Sequence, residues 1–315
     1  MKHSLKDWIL ATRPWSFPAS AMPVMVTVAW LWSRGFDVNW AFALWALVNI
    51  IFVHAAGNVW SDIADYKSGV DAKDTFGVRL LVDGQFTPEE FRRLSLTLNI
   101  IAIIGGLLLV WLTGPTLLYI GIAGILLSLC YPRLKYVALG DVVIILCYSL
   151  LPMSGTSFIV SGEIHWNVLW LALPVGLITV AILHANNVRD IETDQRANIH
   201  TFPMLTGRRF GTWLYAFEVL LPFFWLLGLM IARVEPWWLG IAFLAMPVAV
   251  KNARTILAYE RGGKESYANL DELTAKLKLM FSFLLILGLA LNRLTISNSQ
   301  FTNFLIFLIS YFLIS

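Results

Sequence analysis

Two short acidic stretches hold the residues best suited to chemistry. The first runs Asn58-Val59-Trp60-Ser61-Asp62-Ile63-Ala64-Asp65, the second Asn186-Asn187-Val188-Arg189-Asp190-Ile191-Glu192-Thr193-Asp194. Each sets an Asn four residues before an Asp-Ile pair and adds a further acidic residue beyond it. Asn58 to Asn186 and Asp62 to Asp190 are both separated by 128 residues, an internal echo that suggests two related halves meeting at one site. Asn58, Asp62 and Asp65 stand at i, i+4 and i+7, and Asn186, Asp190 and Asp194 at i, i+4 and i+8. Each set therefore shares one helix face. Turned toward each other, the two faces gather at least four carboxylates, Asp62, Asp65, Asp190 and Asp194, which are the candidate catalytic residues. Crowded like charges repel, so the cluster calls for cations. Carboxylates with the carbonyls of Asn58 and Asn186 form an all-oxygen donor set that suits a hard divalent ion. Mg2+ commonly bridges a few carboxylates to substrate phosphates.

A diphosphate also needs positive charge from the protein. Lys73, Arg79 and Arg189 flank the acidic stretches and are the favoured contacts, Arg offering a planar fork to phosphate oxygens. Lys67, Arg133 and Lys135 are assigned to the general basicity of loops beside a membrane. His54 and His184 lack zinc-ligand spacing. The sequence contains no P-loop, dinucleotide fingerprint or nucleophile elbow. Its basic loops do not form a stripe interleaved with aromatics, so nucleic acid is not a partner.

The elements that must position these residues follow from composition. Of 315 residues, 58% are hydrophobic and 14% charged, against about 25% charged in soluble domains. A soluble enzyme and a disordered chain are excluded. Long unbroken apolar runs disfavour a β-barrel, whose strands alternate. The pattern is an all-α polytopic bundle in a lipid bilayer, with about nine spans near 16–33, 40–57, 94–112, 116–131, 140–160, 167–187, 212–232, 236–256 and 275–292. The N-terminal stretch reads as a retained span, not a cleaved signal. Cys130 and Cys147 lie in apolar runs and imply no disulfide framework. Tryptophan pairs such as Trp30/Trp32 and Trp237/Trp238 fit interfacial belts. Alternate connections, counted with their flanking helix ends, hold 20 of the 23 Lys and Arg. Those connections, the N-terminus and both acidic stretches are expected on the cytoplasmic side of a cytoplasmic (inner) membrane. One membrane-embedded domain is expected over 1–315, with an apolar tail at 299–315 too short to be an ordinary span. No charged residue is expected deep in the other spans.

These residues resemble the UbiA superfamily of intramembrane prenyltransferases, over most of the chain. Within it the sequence is most similar to the branch that prenylates dihydroxynaphthoate or a related naphthoquinol in menaquinone formation. The resemblance rests on Arg13-Pro14-Trp15-Ser16-Phe17-Pro18-Ala19-Ser20 with Pro23, and on Asn58-x-x-x-Asp62-x-x-Asp65-Tyr66-x-x-Gly69-x-Asp71. It extends to Leu139-Gly140-Asp141 with Pro152 and Gly155-Thr156, and to Asn186-Asn187-x-Arg189-Asp190-x-x-x-Asp194 with Thr201. The chain departs from it at Asn198-Ile199, where many bacterial members have Gly-Lys, at Ser61, and at Leu80.

The resemblance implies Mg2+-dependent transfer of a polyprenyl group from its diphosphate to an aromatic acceptor such as 1,4-dihydroxy-2-naphthoate. The allylic diphosphate ionises, the ring attacks, and loss of CO2 restores aromaticity. Asp141 falls near the acceptor side so implied. The alternatives are UbiA-type transfer to hydroxybenzoate, homogentisate, haem or glycerol phosphate, and a transporter using intramembrane charges.

Overall fold

A computed structural model describes residues 3–69, 79–135, 137–196, 200–259, 263 and 267–297. These are overwhelmingly helical. No strand forms among them, and Val137 and His200 make an isolated parallel bridge.

The short α1 (Leu5–Ala11) is started by a capping box between Ser4 and Asp7. A 3-10 turn at Pro14–Ser16 leads into α2 (Pro18–Ser33). Then come α3 (Trp40–Ser68), α4 (Pro88–Thr113), α5 (Thr116–Lys135) and α6 (Gly140–Ser161). The second half holds α7 (Ala172–Arg189), α8 (Ile191–Arg196) and α9 (Phe202–Thr206). It ends with α10 (Arg208–Ile231), α11 (Trp237–Leu257) and α12 (Leu270–Ser297).

Among the described residues, seven helices are long and apolar enough to cross a bilayer: α3 to α6 and α10 to α12. The other two expected positions hold α2 and α7, which are shorter, at 16 and 18 residues. At 1.5 Å per residue, α2 covers about 24 Å of a hydrocarbon core about 30 Å thick. α7 exchanges apolar residues for His184, Asn186, Asn187 and Arg189 at its end. The tail from 298 onward lies outside the described residues.

α3 runs well beyond the expected 57 and carries the first acidic stretch in its last three turns. Gly69, at φ +74°, supplies the left-handed stop, its N–H donating to the carbonyls of Asp65 and Tyr66. α4 starts at Pro88, behind a Thr87–Glu90 capping box. α6 is interrupted by a π-helical segment, Leu146–Leu150, a distortion that often marks a functional site.

The main core joins α2, α7, α10, α11 and α12 through Leu31, Val175, Ile178, Tyr215, Phe223, Leu239 and Phe281. Phe223 meets Phe281 edge-on, with ring centroids 5.3 Å apart. Lipid tails are as apolar as leucine, so van der Waals fit holds such helices together, and small residues let them approach. Ala242, Ala245, Ala249 and Ala253 give α11 a buried small-residue face. At Gly288 of α12 a Cβ would lie 2.5 Å from the Trp238 carbonyl oxygen. A second core packs α3 against α4 around Ala56, Val59, Phe91 and Leu98. The outer faces of α4 and α5 stay exposed, with Trp111 at 80% and Tyr119 at 73%. In a bilayer these faces meet lipid.

Candidate active site

One large cavity, of about 770 Å³, opens between α2, α7 and α12 on one side and α3, α4, α5 and α6 on the other. Ligand pockets commonly measure about 300–1,000 Å³. Its mouth is polar and carries both acidic stretches. Its depth is apolar, lined by residues such as Ile50, Ile103, Leu107, Ile122 and Ile125.

On α3 the three predicted residues have different surroundings. Asp65 lines the mouth, and its carboxylate lies 3.7 Å from the Lys135 ammonium at the end of α5. Asp62 is buried behind the cavity wall in an ion pair with Arg13. Arg13 occupies the left-handed region at φ 55°, ψ 60°, which costs a non-glycine residue about 1–2 kcal/mol. Hydrogen bonds from Ser16 N and Oγ to the Arg13 carbonyl, at 3.0 and 2.8 Å, help hold it there. The Asn58 amide donates to Thr12 O at 3.0 Å and Ser16 Oγ at 2.9 Å, fastening α3 to the same turn. His54 joins this network through Ser20 at 2.9 Å and Ser16 at 3.3 Å.

The second stretch is kinked. α7 stops at Arg189, Asp190 caps it, and α8 resumes at Ile191. The i to i−4 hydrogen bonds from Asp190 N to Asn186 O and from Asp194 N to Asp190 O bridge the break at 2.9 and 2.8 Å. Asn186, Asp190 and Asp194 thus all line the cavity, although they do not share one regular helix as the spacing predicts. Arg189 grips Asp190 with both prongs, at 2.9 and 2.8 Å, and reaches Asp271 of α12 at 3.2 Å. Burial lifts the Asp194 carboxyl to about 6. Lys135 opposes the rise, while Asp190 and Asp65 reinforce it. The same cations and carboxylates that meet across the mouth therefore act on one side chain.

Five carboxylates (Asp65, Asp190, Asp194, Asp271 and Glu272) face three cations (Arg13, Lys135 and Arg189) around this mouth. The excess negative charge and the all-oxygen donor set fit a hard divalent cation. So does the buried Asn186 Oδ1, which has no hydrogen-bond partner. Among the described residues, three potential ligand atoms of His, Cys, Asp or Glu come within 4.8 Å of one another only at Asp141, His184 and Glu218. No three of the mouth carboxylates come that close. This spacing suits Mg2+, which keeps several waters and takes phosphate oxygens as further ligands.

The remaining predicted residues divide. Lys73, Asp71, Asn198 and Ile199 lie outside the described residues. Arg79 is not on the cavity wall and has Asp83 at 3.9 Å. Asp141 also lies off the wall, near His184 and Glu218, whose Nδ1 and Oε1 are 3.1 Å apart. Lys67 and Arg133 are exposed, as loop basicity predicts, but Lys135 belongs to the mouth.

Other cavity residues carried no assignment from the sequence. Tyr131 and Tyr148 line the cavity, Tyr148 edge-on to His54 with centroids 4.8 Å apart. The π segment of α6 carries Cys147 and Tyr148 to the wall. The expectation of no charge within the spans fails at Glu218 of α10 and Lys278 of α12, both buried.

The family model described as the UbiA prenyltransferase family matches residues 20–274. The chain belongs to that family. Its likeness to UbiA prenyltransferase domain-containing protein 1 of Xenopus tropicalis is 29% identity over 296 residues, covering 92% of this chain and 83% of the relative. It is 25% identical over 287 residues to the 1,4-dihydroxy-2-naphthoate octaprenyltransferase of Bacillus subtilis strain 168, covering 89% and 91%. The fold matches a UbiA homologue from Archaeoglobus fulgidus whose structure is bound to GPP and Mg2+. That match has a TM-score of 0.55 at 13% identity and covers 89% of this chain and 99% of the other. The chain is therefore a multi-pass membrane prenyltransferase of the UbiA type.

Proposed function

We propose that this UbiA-type enzyme transfers a polyprenyl group from polyprenyl diphosphate to 1,4-dihydroxy-2-naphthoate or a closely related naphthoquinol. The observation that carries the reading is the meeting of both acidic stretches across one cavity, polar at the mouth and apolar in depth. The naphthoate acceptor is supported by the naphthoate octaprenyltransferase among the relatives and by the sequence motifs.

Asp65, Asp190, Asp194 and the Asn186 carbonyl would hold Mg2+, the ion bound together with GPP in the Archaeoglobus fulgidus homologue. When bound, Mg2+ neutralises charge on the departing diphosphate and acts as template. Lys135 and Arg189, now paired with carboxylates, are placed to share phosphate oxygens with them. Arg13, set by Asp62 and the Ser16 hydrogen bonds, lines the mouth beside them. Asn58 fixes the same turn. Lys73 and Arg79 remain candidates for the outer diphosphate oxygens.

As the C1–O bond of the donor breaks, both electrons leave with the diphosphate. The apolar wall keeps water from the allylic cation, and the faces of Tyr131 and Tyr148 can stabilise it. The acceptor ring then bonds to C1. With a naphthoate, the bond to the carboxylate breaks, CO2 leaves, and the released pair restores the aromatic ring. Ile103, Leu107, Ile122 and Leu129 line the cavity and are exposed, which gives the prenyl tail an apolar path toward lipid. The basic ends of the helices favour a mouth that faces the cytoplasm.

The test is a panel of acceptors. Detergent-purified protein with geranylgeranyl diphosphate and Mg2+ should prenylate dihydroxynaphthoate at least tenfold faster than hydroxybenzoate or homogentisate. Preference for either of those would overturn the acceptor while keeping the family.

A further inference from the structure

Lys278 lies on α12, is fully buried, and lines the same cavity. The mouth is marked on that helix by Asp271, which pairs with Arg189. Seven residues further along, at 1.5 Å per residue, Lys278 stands about 10 Å deeper. There the ammonium donates to the Val175 carbonyl of α7. No carboxylate lies within ion-pair distance of it among the described residues. The Thr179 hydroxyl donates to the same carbonyl at 3.1 Å and also lines the cavity. One helical turn away, the neighbouring cavity-lining residues Ala275 of α12 and Ile182 of α7 are apolar.

A buried ammonium satisfied by a single carbonyl is costly, and charges within membrane spans mark substrate or ion sites. An anion delivered through the cavity would supply the ammonium with the partner it lacks among the described residues. The prenyl donor does not supply it, because its charge sits in the diphosphate at the mouth and the rest of the molecule is hydrocarbon. The second substrate must therefore carry it.

We propose that Lys278 forms a carboxylate subsite, which selects an aromatic acceptor bearing an anionic group over its uncharged counterpart. This rests on the prenyl-transfer reading above and deepens it. The acceptor lies with its ring toward the mouth and its carboxylate inward. Lys278 leaves the Val175 carbonyl to pair with it and returns when the carboxylate departs. Lys278 is a specificity-determining residue here, not a ligand of the diphosphate.

The test compares dihydroxynaphthoate with 1,4-dihydroxynaphthalene, the same ring without the carboxylate. Geranylgeranyl diphosphate and Mg2+ are held saturating, with wild type, Lys278→Met and Lys278→Gln. Gln keeps a donor for the Val175 carbonyl and guards against misfolding of the Met variant. The expected result is a fall of at least tenfold in the ratio of kcat/KM for the carboxylated over the uncharged acceptor, in both variants, with donor KM within twofold. Equal losses on both acceptors, or none, would overturn the subsite and leave a structural lysine. Equilibrium binding of dihydroxynaphthoate, followed by tryptophan fluorescence, gives a readout without turnover. If wild type transfers no prenyl group but binds the naphthoate at least tenfold more tightly than both variants, the subsite stands and the reaction fails. Equal binding by all three overturns the subsite whatever the activity.

Discussion

Lys135 and Arg133 are two residues apart on α5, and nothing in their local sequence separates them. At 100° per residue they point to opposite sides of the helix. Lys135 keeps 17% of its side chain exposed and faces Asp65 at 3.7 Å, whereas Arg133 is exposed. Lys135→Met removes the cation from the mouth while keeping much of its volume. At this distance and an effective dielectric of about 20, a pair of unit charges is worth about 4 kcal/mol. Water and bound cation screen much of that, and a hydrogen bond to a charged group is typically worth about 1.5–3 kcal/mol net. The expected rise in donor KM for Lys135→Met is therefore roughly 10- to 150-fold, with Arg133→Met within about twofold of wild type. Lys135→Arg should fall between them, since it keeps the charge in a different shape. The assay is initial-rate prenyl transfer over a range of geranylgeranyl diphosphate, at saturating Mg2+ and acceptor. Equal KM values for the two Met variants would refute the placement of Lys135 at the diphosphate.

Arg13→Ala and Asp62→Asn should each lower kcat/KM by roughly 10- to 100-fold. Because they break one ion pair, the double variant should lose little more than the worse single; additive losses in the kinetic cycle would show that they act separately. Asp194, whose carboxyl is raised to about 6, must lose its proton to take a cation. Below pH 6 the apparent Mg2+ affinity should fall by up to about tenfold per pH unit and then level off above it. Calorimetric titration from pH 5 to 7.5 reads this, and a flat profile contradicts it. Gly288→Leu drives a side chain into the Trp238 backbone and should destabilise the bundle by about 1–3 kcal/mol or more. Gly228→Ala, with nothing within 4 Å, should leave thermal unfolding unchanged or slightly improved.

The sequence made legible what depends on local period and local composition. The helical spans follow from apolar runs, and the i, i+4, i+7 spacing put Asn58, Asp62 and Asp65 on one continuous helix, although Asp62 pairs with Arg13 behind the cavity wall. The echo at Asn186, Asp190 and Asp194 identified the second wall. Features set by distant partners were hidden. Asp190 kinks its helix while its carboxylate takes the Arg189 fork, a pairing also tied to Asp271, 81 residues away in sequence. Arg13 sits 49 residues from the Asp62 it clamps, so its string was visible while its role was not. Arg79 looked suited to the site by type and Asp141 by the family resemblance, yet neither lies on its wall. Glu218 and Lys278 were hard to see for a different reason. Each is a single polar residue in a long apolar run, and averaging over the run conceals what one buried charge needs.

The central claim is that carboxylates from both acidic stretches act together, through a divalent cation, on a prenyl diphosphate. Its most direct test measures prenylated dihydroxynaphthoate by mass spectrometry from purified, folded protein with geranylgeranyl diphosphate. The conditions are Mg2+ or EDTA, with wild type, Asp65→Asn and Asp190→Asn. The account predicts product from wild type with Mg2+, none with EDTA, and at least a hundredfold less from either variant, each removing one wall of the site. Undiminished product from either variant, or product that persists in EDTA, would contradict it.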